Sequence, residues 1–355
     1  MSIFTNPDYD KHEKIVYSYD EASGLRAIIA VHNTECGPAL GGCRMYPYAT
    51  DDDALIDVLR LSRGMTYKAA MARLPLGGGK SVIIGNPQHD KSRAMFEAMG
   101  HFVDEGHGEY IAAQDSGISV DDLKIMATQT RHISGINDCR DELGHLRNGD
   151  PSPSTAYGVF CGIKAAVQYK LDRKELEGLT VAIQGLGNVG FRLAQFLHNA
   201  GATLLVADVN PNNTERAAKE FGATVLNVND ILKADADVLS PCALGGIIND
   251  ETVHSIKAKI VAGAANNQLA RPHHGDLLMQ KSVLYAPDYV INAGGIIDAF
   301  YVREGKNLND MKIHVEGIAE TLLQVFEQSH QEQLATNHVA DAIAESRFNH
   351  KPKKH

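Results

Sequence analysis

The stretch from 179 to 208, LTVAIQGLGNVGFRLAQFLHNAGATLLVAD, constrains the fold more than any other part of the chain. A β-rich run leads into a glycine turn, a helix and a second β-rich run ending in an acid, which is the order of a βαβ unit. Gly185 permits the tight turn out of the first strand, Gly187 lets the backbone approach a pyrophosphate, and Gly190 lets the helix lie close against the strand. That helix opens at Asn188 and Val189, so its unpaired N–H groups are aimed at phosphates. Asp208 stands 23 residues beyond Gly185, where its carboxylate can accept both hydroxyls of an adenosine ribose. A 2′-phosphate would meet like charge there, so the pattern favours NAD as the cofactor.

A chain of 355 residues has room for two domains and a cleft between them. Its formal net charge of −10 argues against a nucleic-acid partner, which calls for a basic face. The tail HKPKKH is too short to alter that and reads as a solvated terminus. The cysteines at 36, 43, 139, 161 and 242 are odd in number and lack CxxC pairing, as expected of reduced thiols in a cytoplasmic protein. The first residues carry charges where a signal peptide needs an apolar core, and no run approaches the length of a membrane span.

Alternating elements predict an α/β protein of two domains, an α/β substrate domain and a doubly wound Rossmann domain that binds NAD, separated by a cleft. Boundaries are expected at 1–145 for the first and 146–329 for the second, with a C-terminal helix at about 330–355 packing back on the first. LRAIIAVH, SVIIG and YIAA read as strands, DDDALIDVLRLSRGMTYKAAMARL as a helix with acids at its N-terminal end, and SVDDLKIM as a helix capped by Ser119. Residues 139–154 are polar and rich in Gly and Pro, and read as a linker. From Thr155 the pattern runs helix, βαβ unit, helix TERAAKEFG, then strands DVLSPC, IVAGAA and YAPDYVI. MKIHVEGIAETLLQVFEQSHQEQ and VADAIAESRF follow as helices.

Upstream, Lys68 falls near the end of a helix, and Lys80 follows three glycines, Gly77 to Gly79, before SVIIG. A lysine there is expected on a tight loop at a strand entrance, an unusual setting for a merely solvated side chain. PLGGGKS lacks the first glycine of a Walker A motif, so a P-loop is rejected. Taken alone, Lys68 also fits a helix lysine lying along apolar surface, and Asp115 a turn or capping carboxylate.

The segments GPALGGCRM, RGMTYKAA, LGGGKSVIIG, YIAAQDSG, GDPSPSTAYGV, GLGNVG, SPCALGG, GAANNQL and YAPDYVINAGG resemble, in order, the leucine, valine and phenylalanine dehydrogenases and, more distantly, the glutamate dehydrogenases. The resemblance implies that Lys68 grips a substrate carboxylate, that Lys80 binds the amino or keto group and activates water, and that Asp115 shuttles protons to and from the amine. Oxidative deamination removes a hydride from Cα, adds water to the iminium and expels ammonia, so it needs a base usable near neutral pH. A lysine enclosed beside another cation has its charged form disfavoured and meets that need.

Leu40 in GPALGG stands where the glutamate enzymes carry a lysine for the γ-carboxylate. A charged substrate side chain would therefore be buried unpaired, at a cost of several kcal/mol, which implies an apolar pocket. The resemblance adds Gly41, Ala113, Ile296 and Ala299 as pocket walls. Ala299 replaces an expected valine and keeps phenylalanine or another aromatic amino acid as an alternative to L-leucine, valine and isoleucine. One methylene discriminates by only about 1–3 kcal/mol, so residue identity does not choose among the aliphatic substrates.

On the cofactor side the resemblance assigns Thr155, Asn267 and Asn292 to placing nicotinamide and substrate, and Ala243 to the cofactor's length. Asn267 equally fits a buried amide satisfied by backbone. His273 and His274 are adjacent and do not share a helical face as HxxxH ligands do, so no metal is expected. The family implies a symmetric homo-oligomer, commonly an octamer, built through the substrate domain. The linker 137–149 is longer and more charged than the family pattern. A reading from another class, a non-catalytic NAD-binding regulator, leaves Lys68, Lys80 and Asp115 without a role.

Overall fold

The computed structural model describes residues 3–136 and 149–349, together with the backbone of 139–140 and 146–147. Contacts divide the chain into two compact units. The first is Met1–Asp150 with Ala299–Leu308 and Ala344–His355, and the second is Pro151–Asp298 with Asn309–Ile343.

The first unit contains β1 (Lys14–Asp20), β2 (Leu25–Asn33), β3 (Ala39–Tyr46), α1 (Asp51–Met71), β4 (Gly77–Ile84), α2 (Arg93–Asp104), β5 (Tyr110–Gln114), α3 (Val120–Met126) and the two-residue strands β6 (Cys139–Arg140) and β7 (Leu146–Arg147). Its five-stranded sheet has the order β1-β2-β4-β3-β5, antiparallel in the first two pairings and parallel in the last two. β2 is apolar along nearly its whole length because both of its faces are covered. Leu25, Ala27, Ile29 and Val31 pack with Phe96 and Met99 of α2 and Leu123 of α3. Ile28 and Ala30 pack with Ala54 and Val58 of α1 on the other face. Helix α1 starts where Thr50 and Asp53 form a reciprocal capping box, and Asp51, Asp52 and Asp53 lie in its first turn, against the positive end of the helix dipole. Ser119 caps α3 in the same way with Asp122, as expected.

Two expectations about this unit are corrected. Gly77, Gly78, Gly79 and Lys80 do not form a loop; all lie within β4, and Lys80 pairs with Ala30 of β2. The glycines serve close approach: a Cβ on Gly78 would lie 2.0 Å from the Thr66 backbone nitrogen, so α1 crosses β4 with no room for a side chain. The expected linker 139–154 contains β6 paired antiparallel with β7, and its last residues belong to the next helix. Of the stretch 137–149, residues 137–138, 141–145 and 148 lie outside the described residues.

The second unit begins with α4 (Ser152–Leu171), where Pro153 sits in the first turn and its missing N–H costs nothing. It continues through β8 (Thr180–Gln184), α5 (Asn188–Asn199), β9 (Thr203–Ala207), α6 (Pro211–Phe221), β10 (Thr224–Val225), β11 (Val238–Pro241), β12 (Ile260–Val261), α7 (His273–Gln280), β13 (Leu284–Tyr285) and α8 (Asp288–Ile291). Then come α9 (Gly294–Arg303), α10 (Leu308–Glu332) and α11 (Thr336–Phe348). Six parallel strands run in the order β10-β9-β8-β11-β12-β13, so the strand order reverses between β8 and β11. This is the doubly wound α/β class read from the sequence, and ligands of such sheets bind outside the carboxyl ends of the strands at that reversal. YAPDYVI is not a single strand: β13 ends at Tyr285 and Asp288 starts α8 beyond Pro287, which cannot donate to a ladder. Of the segment 330–355, the part from Ala344 clusters with the first unit, while α10 and the rest of α11 cluster mainly with the second.

Candidate functional site

In the first unit β3 lies between β4 and β5, and Lys80 of β4 meets Asp115, just past the carboxyl end of β5, across it. The Lys80 ammonium is in direct contact with the Asp115 carboxylate, with the two side chains 7% and 18% exposed. Arg44 of β3 reaches the same carboxylate at 3.5 Å and Asp57 of α1 at 2.9 Å, and the Tyr48 hydroxyl donates to Asp57 at 2.5 Å. Asp115 also accepts from the Ser116 backbone N–H at 2.7 Å, so the turn-carboxylate reading is true of its backbone setting while its other oxygen faces the cations. Burial pushes the Asp115 carboxyl up, but Lys80 and Arg44 outweigh it and hold the group at about 2. Lys80 thus lies against the carboxylate that the sequence reading named as the proton relay, with the cation Arg44 on that carboxylate as well.

A folded-state value below the ordinary one means that the stabilisation is present above the ordinary carboxyl range and is lost as pH falls toward 2. The difference in unfolding free energy between wild type and Asp115→Asn is therefore expected to narrow by about 2 kcal/mol between pH 6 and pH 2. Urea midpoints across that range measure it, and a gap that stays constant on acidification contradicts the assignment.

Two residues of this cluster were missed by sequence reasoning. A Cβ on Gly42 would fall 2.7 Å from the Asp115 Cβ and 3.0 Å from Lys80 Nζ, so the second glycine of GPALGG makes room for the ion pair. Arg44, two residues on, carried no signal beyond its charge within an apolar strand. Leu40 is buried in β3 opposite Gly78 and Ile111, Gly41 lies opposite Ala112, and Ala113 is half-buried in β5. Lys68 lies half-buried in the last turn of α1. That turn is tied down from the far end of the chain, because Arg347 donates to the carbonyls of Ala70 and Met71 at 2.9 and 3.1 Å, and the Tyr67 hydroxyl donates to Glu345 at 2.7 Å.

In the second unit Gly185 has φ +93° and follows β8 directly. Gly187 caps α5 and is exposed, with nothing within 4 Å of the place a Cβ would take, and Asn188 and Val189 open the helix beside it. A Cβ on Gly190 would lie 2.0 Å from the Gly185 carbonyl oxygen. Asp208 follows β9 and accepts from the backbone N–H of Leu186 at 2.6 Å and of Asn210 at 2.7 Å. Each carboxylate oxygen is thereby oriented by one bond and keeps acceptor capacity. An open helix N-terminus next to an oriented acid is a set of groups that fits a dinucleotide.

Ala243, in the loop after β11, would be met by a Cβ on Gly185 at 2.7 Å. Asn267, after β12, is exposed with φ +52°, which rules out the buried-amide reading; its carbonyl accepts from Gly246 N–H at 2.7 Å. Asn292 is buried and its Nδ2 donates to the Ala264 carbonyl at 3.0 Å and to Asn266 Oδ1 at 2.8 Å, leaving Oδ1 buried without a partner. Thr155 Oγ1 donates to the Pro151 carbonyl at 3.1 Å and would lie 2.8 Å from a Cβ on Gly295, so it faces the INAGG segment. Ile296 is buried and Ala299 half-buried in α9. Among the described residues Cys36, Cys43, Cys161 and Cys242 are free thiols, and no helix is long and apolar enough to cross a membrane.

Comparison with known proteins agrees with these features. The family model "Glu/Leu/Phe/Val dehydrogenase, dimerisation domain" matches residues 12–132, and "Glutamate/Leucine/Phenylalanine/Valine dehydrogenase" matches 149–210 and 206–345. The chain is 46% identical over 348 residues to the leucine dehydrogenase of Thermoactinomyces intermedius, covering 98% of this chain and 94% of that protein. It is 46% identical over 323 residues to the phenylalanine dehydrogenase of Lysinibacillus sphaericus, covering 90% and 84%. The crystal structure of L-tryptophan dehydrogenase from Nostoc punctiforme superposes with a TM-score of 0.82 at 42% identity, covering 96% of each chain. A hetero-hexameric glutamate dehydrogenase from Thermus thermophilus, at 21% identity and a TM-score of 0.74 with 95% and 88% covered, shares the fold. A Rossmann unit in such company defines the class as NAD(P)-dependent amino-acid dehydrogenases. The chain belongs to the Glu/Leu/Phe/Val dehydrogenase family.

Proposed function

We propose that this enzyme is an NAD-dependent dehydrogenase that reversibly deaminates a branched-chain L-amino acid, with L-leucine favoured over valine and isoleucine, to its 2-oxo acid and ammonia. The observation that carries the reading is the enclosed Lys80–Asp115 pair on the sheet that also bears Leu40 and Gly41, two positions that offer no counter-ion to a charged substrate side chain. Lys68 holds the substrate carboxylate, and Leu40, Gly41, Ala113, Ile296 and Ala299 contact the aliphatic side chain. Asp115, in contact with Lys80, is the carboxylate placed to take the proton released by the substrate amine and to return one to the departing ammonia. Lys80 hydrogen-bonds the amino or keto group and directs water onto the iminium carbon. Bound nicotinamide supplies the hydride acceptor for Cα. Gly185, Gly187, Asn188, Val189 and Gly190 bind the pyrophosphate, Asp208 the ribose, and Thr155, Ala243, Asn267 and Asn292 the nicotinamide half. The orphaned Oδ1 of Asn292 supports its part, since a carboxamide N–H would satisfy it.

NAD is preferred over NADP on the strength of Asp208, whose charge opposes a 2′-phosphate. The working form is a cytoplasmic homo-oligomer, an octamer by resemblance. Aromatic amino acids form a second reading, favoured by the small Ala299 and by the tryptophan and phenylalanine dehydrogenases among the relatives. A panel of L-amino acids with NAD and with NADP tests both. NADH should accumulate at alkaline pH with kcat/KM highest for leucine, and Asp208 predicts at least about a tenfold preference for NAD. Highest kcat/KM with phenylalanine or tryptophan selects the second reading, and no turnover with any apolar amino acid removes both.

A further inference from the structure

We propose that the second unit carries a zinc-class metal site formed by Asp250, His273 and His274. Asp250 lies at the end of the loop that follows β11, and the two histidines open α7 at the end of the loop that follows β12. Nε2 of His274 is 3.0 Å from Asp250 Oδ1 and Nε2 of His273 is 3.3 Å from the same atom. All three donor atoms lie within 4.8 Å of one another. A tetrahedral ion with bonds of about 2.0–2.1 Å holds its ligand atoms roughly 3.3 Å apart, so the two carboxylate–imidazole separations approximate two edges of such a shell. Two imidazoles with one carboxylate form a donor set that suits zinc and its neighbours in the first transition row and not magnesium or calcium, which take oxygen.

The expectation of no metal rested on adjacent histidines being unable to share a helical face. The structure removes that objection, because the His273 and His274 rings lie with centroids 4.1 Å apart and both turn toward a carboxylate from another loop. His274 is 1% exposed, and its Nδ1 accepts from the Arg271 backbone N–H at 3.0 Å and lies 3.1 Å from the Arg271 carbonyl oxygen. With Nδ1 accepting from Arg271, Nε2–H donates to Asp250; an ion that displaces this proton leaves the Arg271 carbonyl to take an Nδ1–H, the outer bond that orients a ligating histidine. Asp250 and His273 are 79% and 48% exposed, so the fourth position is open to water.

The two loops already run side by side, with Ile248 N–H donating to the Gln268 carbonyl and Ala270 N–H to the Ile248 carbonyl. They also bear Ala243 and Asn267. An ion at their far ends would staple the pair together and resist their separation when the unit unfolds.

The test uses tag-free, full-length protein freed of metal with a chelator, and Co²⁺ as the spectroscopic probe. Wild type should take up one tight Co²⁺ per chain with the visible absorption of a low-coordinate nitrogen and oxygen shell. His273→Ala and Asp250→Ala, both at exposed positions, should each weaken that uptake at least about tenfold. Zn²⁺ should raise the unfolding temperature of wild type and leave both variants unmoved. NAD affinity measured without metal should match wild type in both, which confirms their fold. Equal uptake by wild type and both variants overturns the site, and loss in only one of them overturns the three-ligand set.

Discussion

Lys80→Ala is expected to lower kcat for oxidative deamination by on the order of 10²-fold or more, while NAD affinity stays near wild type. Lys80 sits mid-strand with its side chain 7% exposed, so no surface lysine can substitute for it. Its removal leaves Arg44 3.5 Å from Asp115, so the fold keeps a partner for that carboxylate. In the proposed role, what is lost is the donor that would polarise the substrate and aim water, a deficit felt in the chemical step. Asp115→Asn should cost as much through loss of the proton acceptor, and the double variant should fall little further, since the two act as one couple. Lys68→Ala separates from both by raising KM more than it lowers kcat. Near-normal turnover in Lys80→Ala would show that the ion pair is structural.

Gly190→Ala is expected to weaken NAD binding by one to two orders of magnitude and to destabilise the second unit. The added methyl would lie 2.0 Å from a backbone carbonyl oxygen and 3.2 Å from the Cβ of Cys242, neither of which has freedom to yield. Helix α5 must shift away from β8, at about 1–3 kcal/mol by analogy with overpacked cores. Gly187→Ala is the contrast: a Cβ there meets nothing, so stability should hold while the methyl obstructs pyrophosphate approach. Isothermal titration with NAD beside thermal unfolding separates the two effects. Equal stability losses in both variants would contradict the different roles assigned to these glycines.

Much of the second unit was legible because its signals are local. One βαβ unit contains its turn glycines, its helix and its acid within a single stretch, and the structure places Asp208 by bonds to Leu186 and Asn210 as that order demands. The first unit was legible in its helices, through the three acids that open α1 and through Ser119, and less so around Lys80. A run of three glycines signals a turn when read alone. It became strand because α1 crosses β4 at backbone contact, a tertiary fact that no local pattern contains. Arg44 and Gly42 were passed over for the same reason, since their importance lies in what stands across the sheet. The expectation of no metal at His273 and His274 came from a helix-face rule, which says nothing of a carboxylate such as Asp250 brought in by a neighbouring loop.

The bonds from Arg347 to Ala70 and Met71 bear on biosynthesis. Residues 1–150 leave the ribosome first, yet the turn that bears Lys68 acquires these ties only when the final residues of α11 emerge. The portion made earliest is thus finished last, and a nascent chain halted before Arg347 would already possess the parallel sheet of the second unit while the last turn of α1 stayed untied.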